Sequence, residues 1–202
     1  MAAAVAASTS RVRIALAALI TPLRNPVVLA KDLATLDRLS AGRLVVQPTV
    51  SWARDEYEAV GVAFESRGRI LDDGLAAMKM LWREAPASYE GEYFSFDTVY
   101  SKPSPVDPGG PALWFGGQSV HPPLLRRLVA HGSGFHPFGS PSRADLEALE
   151  ARSEGLSQLA QHFKAQATKA KRFQMWQHAK YGAVVGGAVT VGVAVLVLPV
   201  IF

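Results

Sequence analysis

Between residues 12 and 20 apolar side chains follow one another with the density of a short strand, "VRIALAALI", before Pro22 and Pro26 interrupt the run. Val28, Leu29, Leu33, Leu36 and Leu39 then recur at helical spacing, and Gly42 closes that helix ahead of a second apolar run, "RLVV". Strand, helix, strand is a βαβ crossover, which requires parallel pairing. A second helical pattern runs through Ile70, Leu71, Leu75, Met78 and Leu81. Farther on, "PALWFGG" predicts a short buried strand, "PPLLRRLVAHG" a helix ending at Gly132, and "SGFHPF" another strand. Repeated alternation of this kind predicts an α/β fold, a parallel sheet with helices outside, as in a (β/α) barrel. The stretch from about 86 to 110 breaks the alternation and reads as an aromatic, Pro/Gly-rich insertion.

The periodicity changes after residue 145. Leu146, Leu149, Ser153, Leu156, Ala160, Phe163, Ala167 and Ala170 alternate spacings of three and four, a heptad seam along one long amphipathic helix. Such a stripe suits a partner helix, and equally suits docking on the chain's own domain. From Tyr181 to Phe202 no charged residue occurs at all, and 22 such residues form a helix of about 33 Å, enough to cross a hydrocarbon core. Lys164, Lys169, Lys171, Arg172 and Lys180 precede this run and nothing polar follows it. The pattern predicts a single-pass tail anchor over 181–202 with the N-terminal region cytoplasmic. Trp176 and Tyr181 lie at the expected headgroup boundary, and Gly182 with Gly186 gives one close-packing step for a neighbouring helix.

Charge sharpens that picture. The formal net charge is +4, but residues 151–202 hold six Lys/Arg against one acid, so the whole basic excess lies in the tail. Its position against an apolar span favours anionic lipid headgroups over nucleic acid. With no Cys there is neither a disulfide framework nor a thiolate site. His121, His131 and His136 lack metal-ligand spacing, and His162 and His178 fall on the outward face of the tail helix, so no metal site is expected. No G-x-S-x-G, phosphate loop or paired-carboxylate pattern is present, and no catalytic residue is assigned.

Several blocks carry a resemblance. "LRNPVVLAKDLATLDRLSAGRL", "SWARDEYEAVGVAFESRGRILDD", "YEGEYFSFDTVYSKPSPV" and "GGPALWFGGQS...LLRRLVAHGSGFHPF" follow in one order. Over about residues 8–138 they resemble the bacterial luciferase-like family of flavin- or deazaflavin-dependent monooxygenases and oxidoreductases built on a TIM barrel. The resemblance implies FMN or a deazaflavin coenzyme. It also implies an incomplete barrel of about four strands, because a full one needs about 250 residues. By position it nominates Thr21 after the first strand, Gln47, Ser51 and Trp52 at the end of the second, and Gly116, Gly117 and Gln118 after "ALWF" as cofactor-binding residues. Glu56 lies just beyond, where a capping or surface role is the plainer reading, as packing is for Trp52. The family's glycine-rich strand reads here as "QPTVSW", and Pro48 removes a ladder donor from what should be a central strand. An open part-barrel also leaves strand edges that a second copy, in a homo-oligomer, or the tail would have to cover.

"LEALEARSEGLSQLAQHFKAQATKAKRFQMWQHAK" followed by an apolar run resembles the membrane-proximal half of the vesicle-associated membrane proteins, the synaptobrevin or R-SNARE family, over about 146–202. That resemblance implies SNARE helices as partners along the 146–170 seam and a role in vesicle fusion. It departs from the family at Ser142, which stands where the central arginine belongs, with Pro141 beside it. The two resemblances meet at "GSPSR", Gly139 to Arg143. The expected organisation is therefore a truncated luciferase-like domain over 1–140, a SNARE-like helix and basic linker over 141–180, and a transmembrane anchor over 181–202. The leading expectation is an oxidoreductase-type fragment of doubtful competence tethered to a membrane, and the alternative is a tail-anchored vesicle-fusion protein.

Overall fold

A computed structural model describes residues 1–140 and 142–153. Helix α1 (Ala2–Ser8) leads into strand β1 (Ile14–Ile20), helix α2 (Pro26–Leu39) and strand β2 (Leu44–Thr49). Helices α3 (Arg54–Ala59) and α4 (Arg67–Arg83) follow, then a hairpin of β3 (Ala87–Glu90) and β4 (Ser95–Val99). Strand β5 (Ala112–Gly117), helix α5 (Pro122–His131), strand β6 (Gly134–Pro137) and helix α6 (Arg143–Ser153) complete the described chain. The main sheet has the order β1-β2-β5-β6 and is parallel throughout. The expected α/β crossover architecture is thus present.

Local chemistry sets the boundaries. Asn25 caps α2 by accepting the N–H groups of Val27 (2.9 Å) and Val28 (3.4 Å), and Pro26 occupies the first turn, where its missing donor costs nothing. At the other end Ala41 and Gly42 adopt φ of 53° and 79°, and the Gly42 N–H returns to the Asp37 carbonyl at 2.9 Å. Leu29 and Leu33 face the core as their spacing predicts, but Val28 is 60% and Leu39 53% exposed. Ala30 and Ala34 are fully buried instead. Small side chains let α2 approach α4 closely, which rotates the buried stripe away from the larger residues. In α4 all five expected positions, Ile70, Leu71, Leu75, Met78 and Leu81, are buried.

Arg43 joins the first elements. Its guanidinium donates to the carbonyls of Ser40 (2.7 Å), Val12 (2.7 Å), Thr9 (2.8 Å) and Ala6 (3.0 Å) and to the Thr9 hydroxyl (3.0 Å). These acceptors include the last turn of α1, so one cation closes that helix and pins it to the start of β2. Asp37, buried beneath the same turn, accepts the Val106 N–H at 2.8 Å. Burial raises its carboxyl above the ordinary value, although the Val106 bond and Arg38 partly offset this.

Two sequence expectations are modified here. Pro48 does lie inside β2, the second of the four strands, and β1 answers it with a bulge: Leu16 pairs with Val46 but Leu19 with Pro48, an extra residue on β1 where β2 lacks a donor. The 86–110 stretch, read as an aromatic, Pro/Gly-rich insertion, contains the β3–β4 hairpin. Its organiser is Asp73 on α4, which accepts the Tyr89 hydroxyl (2.6 Å) and the N–H groups of Tyr93 (2.7 Å) and Phe94 (2.9 Å). Burial opposes ionisation of Asp73, yet these donors outweigh it and hold the carboxyl below its usual range. Burial and the same bond push Tyr89 up to about 12. A long-range acceptor of this kind has no periodic signature in sequence.

Helix α6 starts where the sequence resemblance had a zipper arginine. Ser142 and Asp145 form a reciprocal cap: the Ser142 N–H donates to Asp145 Oδ2 (3.0 Å) and the Asp145 N–H to Ser142 Oγ (3.2 Å). Leu146 is buried and Leu149 packs against the core cluster, so the first two seam positions dock on the chain's own domain. The rest of the 146–170 seam beyond residue 153 and the 181–202 span lie outside the described residues. Among the described residues no helix is long and apolar enough to cross a membrane.

Replacing Arg43 with Ala strands several carbonyls at once and is expected to destabilise the fold by about 2–3 kcal/mol. Urea denaturation followed by tryptophan fluorescence measures this; a loss no greater than that of an exposed surface arginine would contradict the pinning role.

Candidate functional site

Strand alternation divides the sheet residues into two sets. Leu44 and Val46 of β2, Leu113 and Phe115 of β5, and Phe135 of β6 join the core cluster with α2, α4 and α5. Val45 and Gln47, Trp114 and Gly116, and Gly134 and His136 therefore project from the other face. On that inner face bulk is matched against glycine. A Cβ on Gly134 would come within 2.6 Å of the Trp114 indole nitrogen, and one on Gly116 would collide with the His136 carbonyl and lie 2.7 Å from Gln47 Nε2. Gly116 is needed because Gln47 reaches across it from β2 toward β6.

The Gln47 side chain is the centre of this face. It is 3% exposed, and its Oε1 lies 3.1 Å from His136 Nδ1, so that within this pair the amide oxygen accepts and the ring nitrogen donates. Gln47 Nε2 is buried with no hydrogen-bond partner among the described residues. A buried amide donor left unpaired costs about 1–3 kcal/mol, a cost that a ligand acceptor would remove.

The other nominated residues cluster around the C-terminal ends of the same strands. Thr21 is buried and its hydroxyl donates to the Leu19 carbonyl at 3.2 Å, so it finishes β1. Ser51 adopts φ 57°; its hydroxyl donates to Glu56 at 2.7 Å and accepts the Ala53 N–H at 3.2 Å. Glu56 thus serves the turn, as the plainer reading expects. Tyr57 supports this turn from below by donating to the Val50 carbonyl. Trp52 is 89% exposed, which overturns the packing alternative for its indole. Gly117 accepts the Phe138 N–H at 3.0 Å, and Gln118 beside it is exposed. Gln47 and Gly116 lie against each other on the inner face, while Thr21, Ser51, Trp52, Gly117 and Gln118 lie at or just beyond the C-terminal ends of the strands. His136 was missed because no ligand spacing marks it. Its register opposite Gly116 would have revealed it, but pairing between β5 and β6 is not written in either strand alone.

A cavity of about 480 Å³ lies at the opposite, N-terminal end of the sheet, where Arg13, Asp37, Lys79, Asp107 and His131 line it. Lys79 donates a long bond, 3.5 Å, to the His131 carbonyl. Burial, then the Lys79 charge, lowers the His131 pKa below its ordinary 6.5, and its Nδ1 is buried without a partner among the described residues. None of the seven nominated residues borders this cavity.

The family model described as luciferase-like monooxygenase matches residues 1–175. An uncharacterized protein of Mycobacterium tuberculosis is 40% identical over 110 residues, covering 54% of this chain and 39% of that protein. An FMNH2-dependent dimethylsulfone monooxygenase of Pseudomonas fluorescens is 31% identical over 119 residues, 57% of this chain and 32% of the relative. An F420-dependent glucose-6-phosphate dehydrogenase of Kineococcus radiotolerans is 39% identical over 120 residues, 54% and 35% respectively. The chain thus spans well under half the length of these curated relatives. The crystal structure of monooxygenase RslO1 from Streptomyces bottropensis superposes with a TM-score of 0.65 at 24% identity, covering 84% of this chain and 49% of that one. The match through residue 175 runs across "GSPSR" and takes in about half of the segment assigned to a vesicle-associated half. Together with the docking of Leu146 and Leu149, it leaves that assignment without support.

His131 generates a pH dependence. Its folded pKa lies below the unfolded 6.5, so its contribution is complete above that pH and is lost as pH falls toward the folded value. His121, whose Nδ1 accepts the Leu124 N–H at 3.3 Å and whose pKa is also lowered, chiefly by burial, acts in the same sense. Melting temperature is expected to drop between about pH 7.5 and about pH 5, and the drop to shrink in His131→Gln. An unchanged slope in that variant would remove His131 from the account.

Proposed function

The chain belongs to the luciferase-like monooxygenase family, and we propose that its inner sheet face is part of a flavin- or deazaflavin-binding surface of an oxidoreductase built on a (β/α) barrel. The observation that carries this reading is Gln47 Nε2 above Gly116, buried and without a hydrogen-bond partner among the described residues. A planar heterocycle edged with carbonyl acceptors suits such a donor, and the glycine keeps the adjoining floor low. The FMNH2- and F420-dependent relatives support the same cofactor classes. When bound, a cofactor of either class supplies hydride chemistry, and the flavin also oxygen transfer.

The chain's own residues have positioning tasks. His136 donates to Gln47 Oε1 and so fixes the orientation of the amide. Gly116 permits the Gln47 side chain to lie flat against the neighbouring strand. Trp52 offers an exposed aromatic face at the rim, and Thr21, Ser51, Gly117 and Gln118 shape the edges of the same opening. No residue is assigned a proton-transfer role.

A membrane attachment through 181–202, with the preceding domain on the cytoplasmic side, is a separate proposal. The uncharged run and the basic residues ahead of it support it, and the family match ends before it begins. Deleting 181–202 is expected to move the protein from the carbonate-washed membrane pellet to the supernatant; retention in the pellet would place the attachment elsewhere.

Titration of the full chain with FMN and with F420, read by cofactor fluorescence, tests the main reading. Binding of one of them is expected, and Gln47→Leu should weaken it about tenfold, the worth of roughly one hydrogen bond. A folded protein that leaves both cofactors' fluorescence unchanged would end this reading.

A further inference from the structure

The rim between β5 and α5 is fastened at both ends. At one end the Gly117 carbonyl accepts the Phe138 N–H from the residue after β6 (3.0 Å). At the other the Val120 N–H donates to Asp145 Oδ1 (2.8 Å), a contact 25 residues distant in sequence. His121 follows immediately and caps α5. Only Gln118 and Ser119, both exposed, lie between the two fastenings.

Asp145 divides its carboxylate between two tasks. Oδ2 accepts the Ser142 N–H (3.0 Å) and hydroxyl (2.6 Å), which starts α6. Oδ1 is left for Val120. The next residue, Leu146, is 6% exposed, so α6 is seated by an apolar side chain adjacent to the acid that reaches the rim. The cap of α6 uses Ser142 and Asp145 Oδ2; the bond from Val120 to Oδ1 is additional and links a helix beyond the sheet to the inner-face opening.

We propose that Asp145 is a positioning residue, holding the Gly117–Val120 rim through the Val120 N–H so that α6 completes the cofactor-binding opening. This deepens, and rests on, the reading of the inner face as a flavin or deazaflavin surface. It predicts a division of labour that a merely structural cap would not give. Asp145→Ala removes both functions, Asp145→Asn keeps an acceptor for Val120, and Ser142→Ala weakens the cap while leaving the rim bond in place.

Hydrogen exchange of the full chain without cofactor, combined with FMN titration, tests it. In Asp145→Ala the Val120 amide is expected to exchange about tenfold faster and FMN to bind about five- to tenfold more weakly. Asp145→Asn should restore most of both, and Ser142→Ala should lower melting temperature while leaving both near wild type. Unchanged Val120 exchange in Asp145→Ala, or equal loss of FMN affinity in Ser142→Ala, overturns the proposal. If the wild type takes up no FMN, the cofactor reading fails for that flavin, and Val120 exchange alone decides whether Asp145 holds the rim.

Discussion

Arg43 sits where α1, α2, β1 and β2 converge, and its guanidinium is the hinge pin of the sheet. By gathering the carbonyls of Ala6, Thr9, Val12 and Ser40 it ties the end of α1, the bend before β1 and the turn after α2 to the start of β2. The Arg43 carbonyl meanwhile accepts the Ile14 N–H at 3.0 Å, which sets Ile14 opposite Leu44 as pairing begins. Register then decides faces. A one-residue slip would send Gln47 into the helix layer and Val46 toward the opening. The chemistry of the inner face is therefore fixed by a turn at the other end of the strand.

The elements legible in sequence are those whose signal is local. Helix α4 could be read because Ile70, Leu71, Leu75, Met78 and Leu81 all serve one buried face, and α2 because Leu29 and Leu33 recur at helical spacing before Gly42 closes it. The stripe within α2 was only partly legible, since alanines compete with leucines for the tight α2–α4 contact. The β3–β4 hairpin escaped because Asp73, not strand periodicity, organises it. At the candidate site, Gln47 and Gly116 could be nominated from the family resemblance. His136 could not, since its importance arises from pairing between β5 and β6, and neither strand specifies its neighbour. Trp52 shows the reverse error, an indole that looks like packing material but faces solvent.

The two resemblances in the chain fare differently for a physical reason. The luciferase-like blocks are spread over several strands and helices that must fit one sheet, so their agreement in order is a demanding coincidence. A heptad stripe is a weaker constraint, since any helix that lies on a globular surface needs an apolar seam. Leu146 and Leu149 find that surface on the domain next to them. The Ser142–Asp145 cap explains why the helix begins where it does, and a helix with its own start signal has no need of an upstream half.

Pro48 and the bulge opposite it form a matched pair of irregularities. A strand lacking one amide and a neighbour carrying one surplus residue are each unfavourable alone and tolerable together. Inheritance should treat them as one character: a lineage that regained an ordinary residue at 48 would gain from shortening β1 as well, and single steps in either direction would pass through a less stable intermediate. The sheet's most irregular point is for this reason among the hardest for drift to erase.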